Sequence, residues 1–67
     1  MPTIRFDGPH LSKEQKAELV RDFTEAAAKV TGIRKEAFVV MIRENDPENV
    51  GVGGELLVER LKRESGR

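Results

Sequence analysis

Two short apolar segments flanking one long amphipathic segment limit what this chain can become. Pro2-Thr3-Ile4-Arg5-Phe6-Asp7 alternates, with Pro2, Ile4 and Phe6 on one side and Thr3, Arg5 and Asp7 on the other. A period of two is that of a strand with one buried face. Phe38-Val39-Val40-Met41-Ile42 is a continuous run of large and β-branched residues. It is too short for a helix and predicts a strand buried on both faces, as in parallel pairing. Between them Leu19, Val20, Phe23, Ala26, Ala27 and Val30 recur three to four residues apart, the stripe of an amphipathic helix. Ser12-Lys13-Glu14-Gln15 matches a capping box, and Gly32 suits the left-handed position after a last turn, so a helix is predicted over residues 13–31. Strand, helix and strand in that order give a right-handed βαβ unit with parallel strands. One helix covers only one face of a two-stranded sheet. The other face calls for a second copy of the chain.

Size points the same way. A chain of 67 residues buries a small share of its surface, and folds of this length usually add disulfides, a metal or partner subunits. There is no Cys and His10 is the single histidine, so neither a disulfide nor a metal site is expected. Homo-oligomerisation is the stabiliser that remains. Twelve basic and twelve acidic residues are interspersed, without the basic excess of a nucleic-acid partner. The basic tail Arg60-Leu61-Lys62-Arg63 lies between Glu59 and Glu64 and reads as a solvated face. No apolar stretch approaches the roughly 20 residues of a membrane span. Arg5 and Asp7 come too early for a secretory signal. The expectation is one domain, residues 1–67, working in the cytoplasm with no nucleic acid or membrane partner and no cofactor.

The C-terminal third is less regular. Asn45-Asp46-Pro47-Glu48-Asn49 is a turn cluster, followed by Val50-Gly51-Val52-Gly53-Gly54. These glycines permit positive φ. They fit either an anion cradle of backbone amides or a structural turn at a subunit contact. They lack the Lys-Ser/Thr of a P-loop and the strand-to-helix setting of a dinucleotide site. Leu56, Leu57 and Leu61 predict either a short final helix or a strand. If helical, Glu59 and Arg63 would pair four residues apart.

The chemistry-bearing candidate is Pro2. Once Met1 is removed, its nitrogen becomes a free secondary amine, a group found nowhere else in a polypeptide. It can act as general base, general acid or nucleophile when its pKa lies near neutrality. An α-amino group ordinarily titrates near about 8, and a prolyl amine is intrinsically more basic. Apolar surroundings and nearby cations would have to lower it. Ile4, Phe6, Val39, Val40, Met41 and Val50 are the candidate walls. Arg5, His10, Arg34, Lys35 and Arg43 are the candidate cations. No Ser-His-Asp or Cys-His set can be assembled, and the carboxylates show no acid–base pattern.

The Met1-Pro2 start, the βαβ order, Ser12-Lys13-Glu14-Gln15-Lys16, Ile42-Arg43-Glu44 and Gly51-Val52-Gly53-Gly54-Glu55-Leu56 together resemble the 4-oxalocrotonate tautomerase family, and within it the divergent DmpI-like branch. The resemblance spans essentially the whole chain. It implies an α+β fold: a βαβ protomer with two parallel strands, one long helix and a short C-terminal hairpin or helix segment, completed by oligomerisation. A homohexamer built as a trimer of dimers is implied. So is an isomerase in which Pro2 moves a proton between carbons of an enol or dienol acid. Three departures bear on the substrate. Well-studied members carry an arginine just before the helix, where this chain has His10-Leu11. They carry another within the second strand, where it has Val39, and an aromatic residue before the glycines, where it has Val50. Those arginines grip a dicarboxylate, so a different acid is implied.

An enolate needs a cation or hydrogen-bond donor at its developing oxyanion. Arg43 is the first candidate, with pairing to Glu44 or Glu48 at the surface as the plainer alternative. His10 either replaces the missing arginine or is a solvated loop residue. Arg5 alternates with Pro2 and points away from it. Val39 and Val50 complete the expected substrate contacts. Two other readings use the same residues. In one, a protonated prolyl amine acts as acid while a carboxylate such as Glu44 activates water, for hydration or dehalogenation. In the other, the chain is a non-catalytic oligomeric module.

Overall fold

A computed structural model describes residues 1–65. Strand β1 (Thr3–Gly8) pairs in parallel with β2 (Val39–Glu44), Thr3 level with Val39 and Gly8 level with Glu44. One further bond closes each end of the ladder. Val39 N–H donates to the Pro2 carbonyl at 2.9 Å, and Asn45 N–H donates to the Gly8 carbonyl at 2.8 Å. Both strands begin one residue later than the alternation predicts, and β2 runs on through Arg43 and Glu44. Helix α1 (Lys13–Thr31) has the predicted bounds. The Ser12 hydroxyl accepts from Gln15 N–H at 3.1 Å while the Gln15 side chain accepts from Ser12 N–H at 2.9 Å. At the other end Gly32 adopts φ 74° and donates to the Ala28 carbonyl. Any side chain there would carry the left-handed penalty of roughly 1–2 kcal/mol.

α1 lies on one face of the sheet. Ile4, Phe6, Val40 and Ile42 turn toward it and are half-buried. The Phe6 and Phe23 rings meet with centroids 5.8 Å apart and planes tilted by 43°. On the opposite face Thr3, Arg5, Asp7, Met41 and Arg43 are exposed, Met41 by 50%. The face left open in the single chain is the one expected to meet a second copy. A single helix has one apolar stripe, and that stripe is used on one side of the sheet.

The rest of the described chain forms an arm. A 3₁₀ turn at Pro47–Asn49 is capped by the Asp46 carboxylate, which accepts from Glu48 N–H at 3.0 Å. β3 (Gly51–Val52) and β4 (Glu55–Leu56) form an antiparallel hairpin. Gly53 and Gly54 turn it with φ of 62° and 86°. Positive φ at both central residues is what a two-residue hairpin with the right twist requires. Helix α2 (Leu57–Ser65) follows directly. The two readings of this segment, strand and helix, are both realised, one after the other. The expected Glu59–Arg63 pair is not. Arg63 reaches back to Glu55, with Nη2 donating to Oε1 at 3.1 Å and Nη1 to Oε2. Glu59 lies 4.0 Å from Lys62. A two-pronged guanidinium–carboxylate contact outweighs an exposed pair four residues apart on a helix.

The chain is extended, 45 × 24 × 17 Å. Its radius of gyration is 15.7 Å, against about 11 Å for a compact domain of this length. Its accessible surface is 5404 Å², against about 4,200 Å² for a folded monomer of this mass. No described residue is fully buried. The excess lies on the open sheet face and on the arm, where Val52, Leu56 and Leu61 are exposed.

Candidate active site

Pro2 stands at the head of β1. Its carbonyl takes the Val39 N–H, which fixes the residue at the first rung of the sheet and leaves its nitrogen outside the ladder. Pro2 is half-buried, whereas Met1 is 92% exposed. Val39 is thus brought to Pro2 by the register itself. A 3₁₀ turn at Lys35–Ala37 feeds β2, with Ala37 N–H donating to the Arg34 carbonyl at 3.0 Å and Phe38 N–H to the Lys35 carbonyl at 3.1 Å. Arg34 and Lys35 therefore sit at the same end of the sheet as Pro2.

The other proposed residues gather at the opposite end. Arg43 is level with Asp7, five residues along β1 from Pro2, or about 16 Å at strand rise. Its Nε lies 3.9 Å from Asp7 Oδ1, so the surface partner is Asp7 rather than Glu44 or Glu48. Arg5, Phe6, Asp7, Met41, Ile42 and Arg43 line an open depression of about 300 Å³ on the uncovered face. His10 Nδ1 is 3.9 Å from Glu44 Oε2. Val50 lines an apolar groove of about 460 Å³ with Gly8, Pro9, Pro47, Leu57 and Leu61. One chain therefore brings Pro2 to Val39, and His10 and Val50 to the Arg43 end, but does not unite the two groups.

Glu44 is the residue whose role local patterns missed. Its carboxylate accepts from Leu11 N–H at 2.9 Å and lies 3.0 Å from Lys16 Nζ, besides facing His10. The backbone bond from Leu11 and then the Lys16 ammonium hold its carboxyl below the ordinary carboxylate range. It pins the β1–α1 loop to the end of β2. Glu44 and Leu11 are 33 residues apart in sequence, so no short motif announces the contact. Within one chain this carboxylate serves the loop and lies at the opposite end of the sheet from Pro2. Among the described residues no group of three or more His, Cys, Asp or Glu side chains is placed to hold a metal. No described helix is long and apolar enough to cross a membrane.

Residues 2–60 match the family model described as tautomerase enzyme, a match that begins at Pro2. This chain belongs to the tautomerase family. It is 39% identical over 64 residues to the probable tautomerase of Campylobacter jejuni, covering 96% of this chain and 93% of that one. Among solved structures it is similar to DmpI from Archaeoglobus fulgidus, with 38% identity, a TM-score of 0.80, and coverage of 85% of this chain and 98% of that one. It is also similar to a heterohexamer 4-oxalocrotonate tautomerase from Chloroflexus aurantiacus, at 33% identity and a TM-score of 0.82 over 88% of this chain and 97% of that one. The α+β fold and the family resemblance read from the sequence are thereby borne out.

Proposed function

We propose that this chain, acting as one domain over residues 1–67, is an isomerase that interconverts keto and enol forms of an oxo acid. The carrying observation is the placement of Pro2, locked through its carbonyl to Val39 N–H while its nitrogen stays outside the ladder. With Met1 removed, that nitrogen takes a proton from the enol hydroxyl or from carbon and returns it at another carbon, a 1,3- or 1,5-shift. No cofactor takes part.

The developing oxyanion needs a positive or hydrogen-bonding partner. Arg43 and His10 fill that role from a second copy of the chain, since their own end of the sheet lies too far from their own Pro2. Val39 lines the site from the proline's side and Val50 from the other copy. The unburied surface of the lone chain supports an assembly, and so does the heterohexameric relative from Chloroflexus aurantiacus. A homohexamer arranged as three dimers is the assembly proposed here.

The experiment has two readouts on protein from its own cells. Mass spectrometry should find the chain lacking Met1. Turnover of an enol acid such as phenylenolpyruvate should then fall by about two orders of magnitude or more in Pro2→Ala, the range associated with a positioned acid–base group. An intact Met1, or undiminished turnover in that variant, defeats the reading.

A further inference from the structure

The proline end of the sheet carries a cation that the fold itself does not use. We infer that Arg34 is the specificity-determining residue that holds the substrate's carboxylate, so that the chain takes a monocarboxylic enol or oxo acid whose apolar body lies against Ile33, Phe38 and Val39. The inference rests on the reading of Pro2 as the acid–base group and adds to it a substrate class.

The register brings Arg34 to that position. Thr3 is level with Val39, and Pro2 is bonded to Val39 N–H, so the chain just before Val39 continues past the proline rather than away from it. The Lys35–Ala37 turn is one 3₁₀ turn, and Arg34 is its first flanking residue. At about 2 Å of rise per residue, its backbone lies within roughly 8 Å of Phe38 along the chain. No other cation combines this position with a free charge. Lys35 is drawn to Glu25, with Nζ 3.7 Å from Oε1. Arg43 faces Asp7, and Lys16 is tied to Glu44. Among the described residues Arg5, Lys13, Lys29 and Arg34 have no acidic partner within 4.0 Å. Arg5 is three residues along β1 on the open face, Lys13 begins α1 at the far end, and Lys29 lies on α1's last turn. Arg34 alone is on the segment that joins the strand beside Pro2. Glu36, in the same turn, makes no ion pair with it.

The surroundings set the remainder of the ligand. Ile33, beside Arg34, is 41% exposed, and Val39 and Phe38 are half-buried. These side chains offer nothing to a second carboxylate and a contact surface to an aryl or alkyl group. A guanidinium grips one carboxylate through two parallel hydrogen bonds, which fixes the acid's plane as well as its position. An acid so held presents the enol oxygen on the carbon next to its carboxyl group, and the carbon after that one, to the Pro2 nitrogen.

The test uses processed protein lacking Met1 and two probes of equal shape, cinnamate and cinnamamide, followed by amide chemical shifts. Arg34→Ala should weaken cinnamate binding by about 10- to 100-fold, the worth of a charge-assisted contact, and leave cinnamamide unchanged. Arg34→Lys should recover part of the loss, and Lys13→Ala, which removes an unpaired cation at the far end of the sheet, should match the wild type. For phenylenolpyruvate the same Arg34→Ala variant should show a raised KM with kcat nearly unaltered. The assignment is overturned if wild-type protein fails to bind cinnamate, if Arg34→Ala binds it equally well, or if acid and amide weaken together. Pro2→Ala, measured in parallel, separates the two readings. A fully active Pro2→Ala defeats the proline mechanism, whereas an inactive Pro2→Ala beside an unaltered Arg34→Ala defeats the carboxylate site alone.

Discussion

At the Glu44 end of the β1–β2 ribbon, charges are matched and anchored. Glu44 holds Leu11 N–H, Lys16 and His10 around one carboxylate, and Asp7 faces Arg43. At the Pro2 end the strand is held by a backbone bond to Val39, and the neighbouring Arg34 has no partner within the chain among the described residues. The same two strands thus end once in a structural clasp and once beside an exposed arginine with no acidic partner among the described residues. The lesson concerns where a small fold keeps its reactive groups. The charges around Glu44 fix a loop, whereas Arg34 fixes nothing within the chain.

The largest test of that division is chemical. Pro2→Ala should cut turnover by about a hundredfold or more while leaving the melting temperature near that of the wild type, because the Val39 bond is made to a backbone carbonyl. Parallel activity and thermal-melt measurements check both halves. At the other end Glu44→Gln should lower the melting temperature at pH 7, the effect that Pro2→Ala lacks. The sign of its pH dependence follows from the lowered carboxyl. Ionised Glu44 stabilises the fold above its ordinary value near 4.5. That contribution is lost as pH falls from there through the lower folded value. The melting difference between wild type and Glu44→Gln should therefore shrink below about pH 4.5 and be present in full at pH 7; a constant difference across that range would show that Glu44 acts without its charge.

Smaller effects sharpen the contrast. Ser12→Ala removes one side of the capping box at the clasp end and should cost about 1 kcal/mol in a denaturant titration. Asp7→Asn should cost at most about 0.5 kcal/mol in the dissociated chain, where both members of its pair with Arg43 are exposed, and more in the proposed assembly, where a second copy covers that face. A large loss in Asp7→Asn would mean that the open face is covered in the working protein and that this pair is buried there.

How much of this was legible beforehand follows from how local each signal is. The bounds of α1 were readable because Ser12, Gln15 and Gly32 make contacts within four residues of themselves. Strand alternation in β1 was readable because one of its faces meets Phe23 and the other is left exposed in the described residues. The register was not readable. A continuous apolar run such as Phe38–Ile42 pairs equally well in several alignments, and the alignment decides that Val39 stands by Pro2 while Arg43 stands by Asp7. The clasp at Glu44 was hidden for the same reason, since it joins residues far apart in sequence. Arg63 shows a local rule losing to a nearby alternative: the hairpin delivers Glu55 to the flank of α2, and the arginine turns there instead of to Glu59.

The absence of any fully covered side chain among the described residues carries a consequence of its own. A polypeptide with so little interior gains most of its persistence from meeting its like, so folding and association become one equilibrium governed by mass action. In the proposed assembly dilution would act as a denaturant, and the amount of chain a cell makes would help decide whether Pro2 is held in place at all.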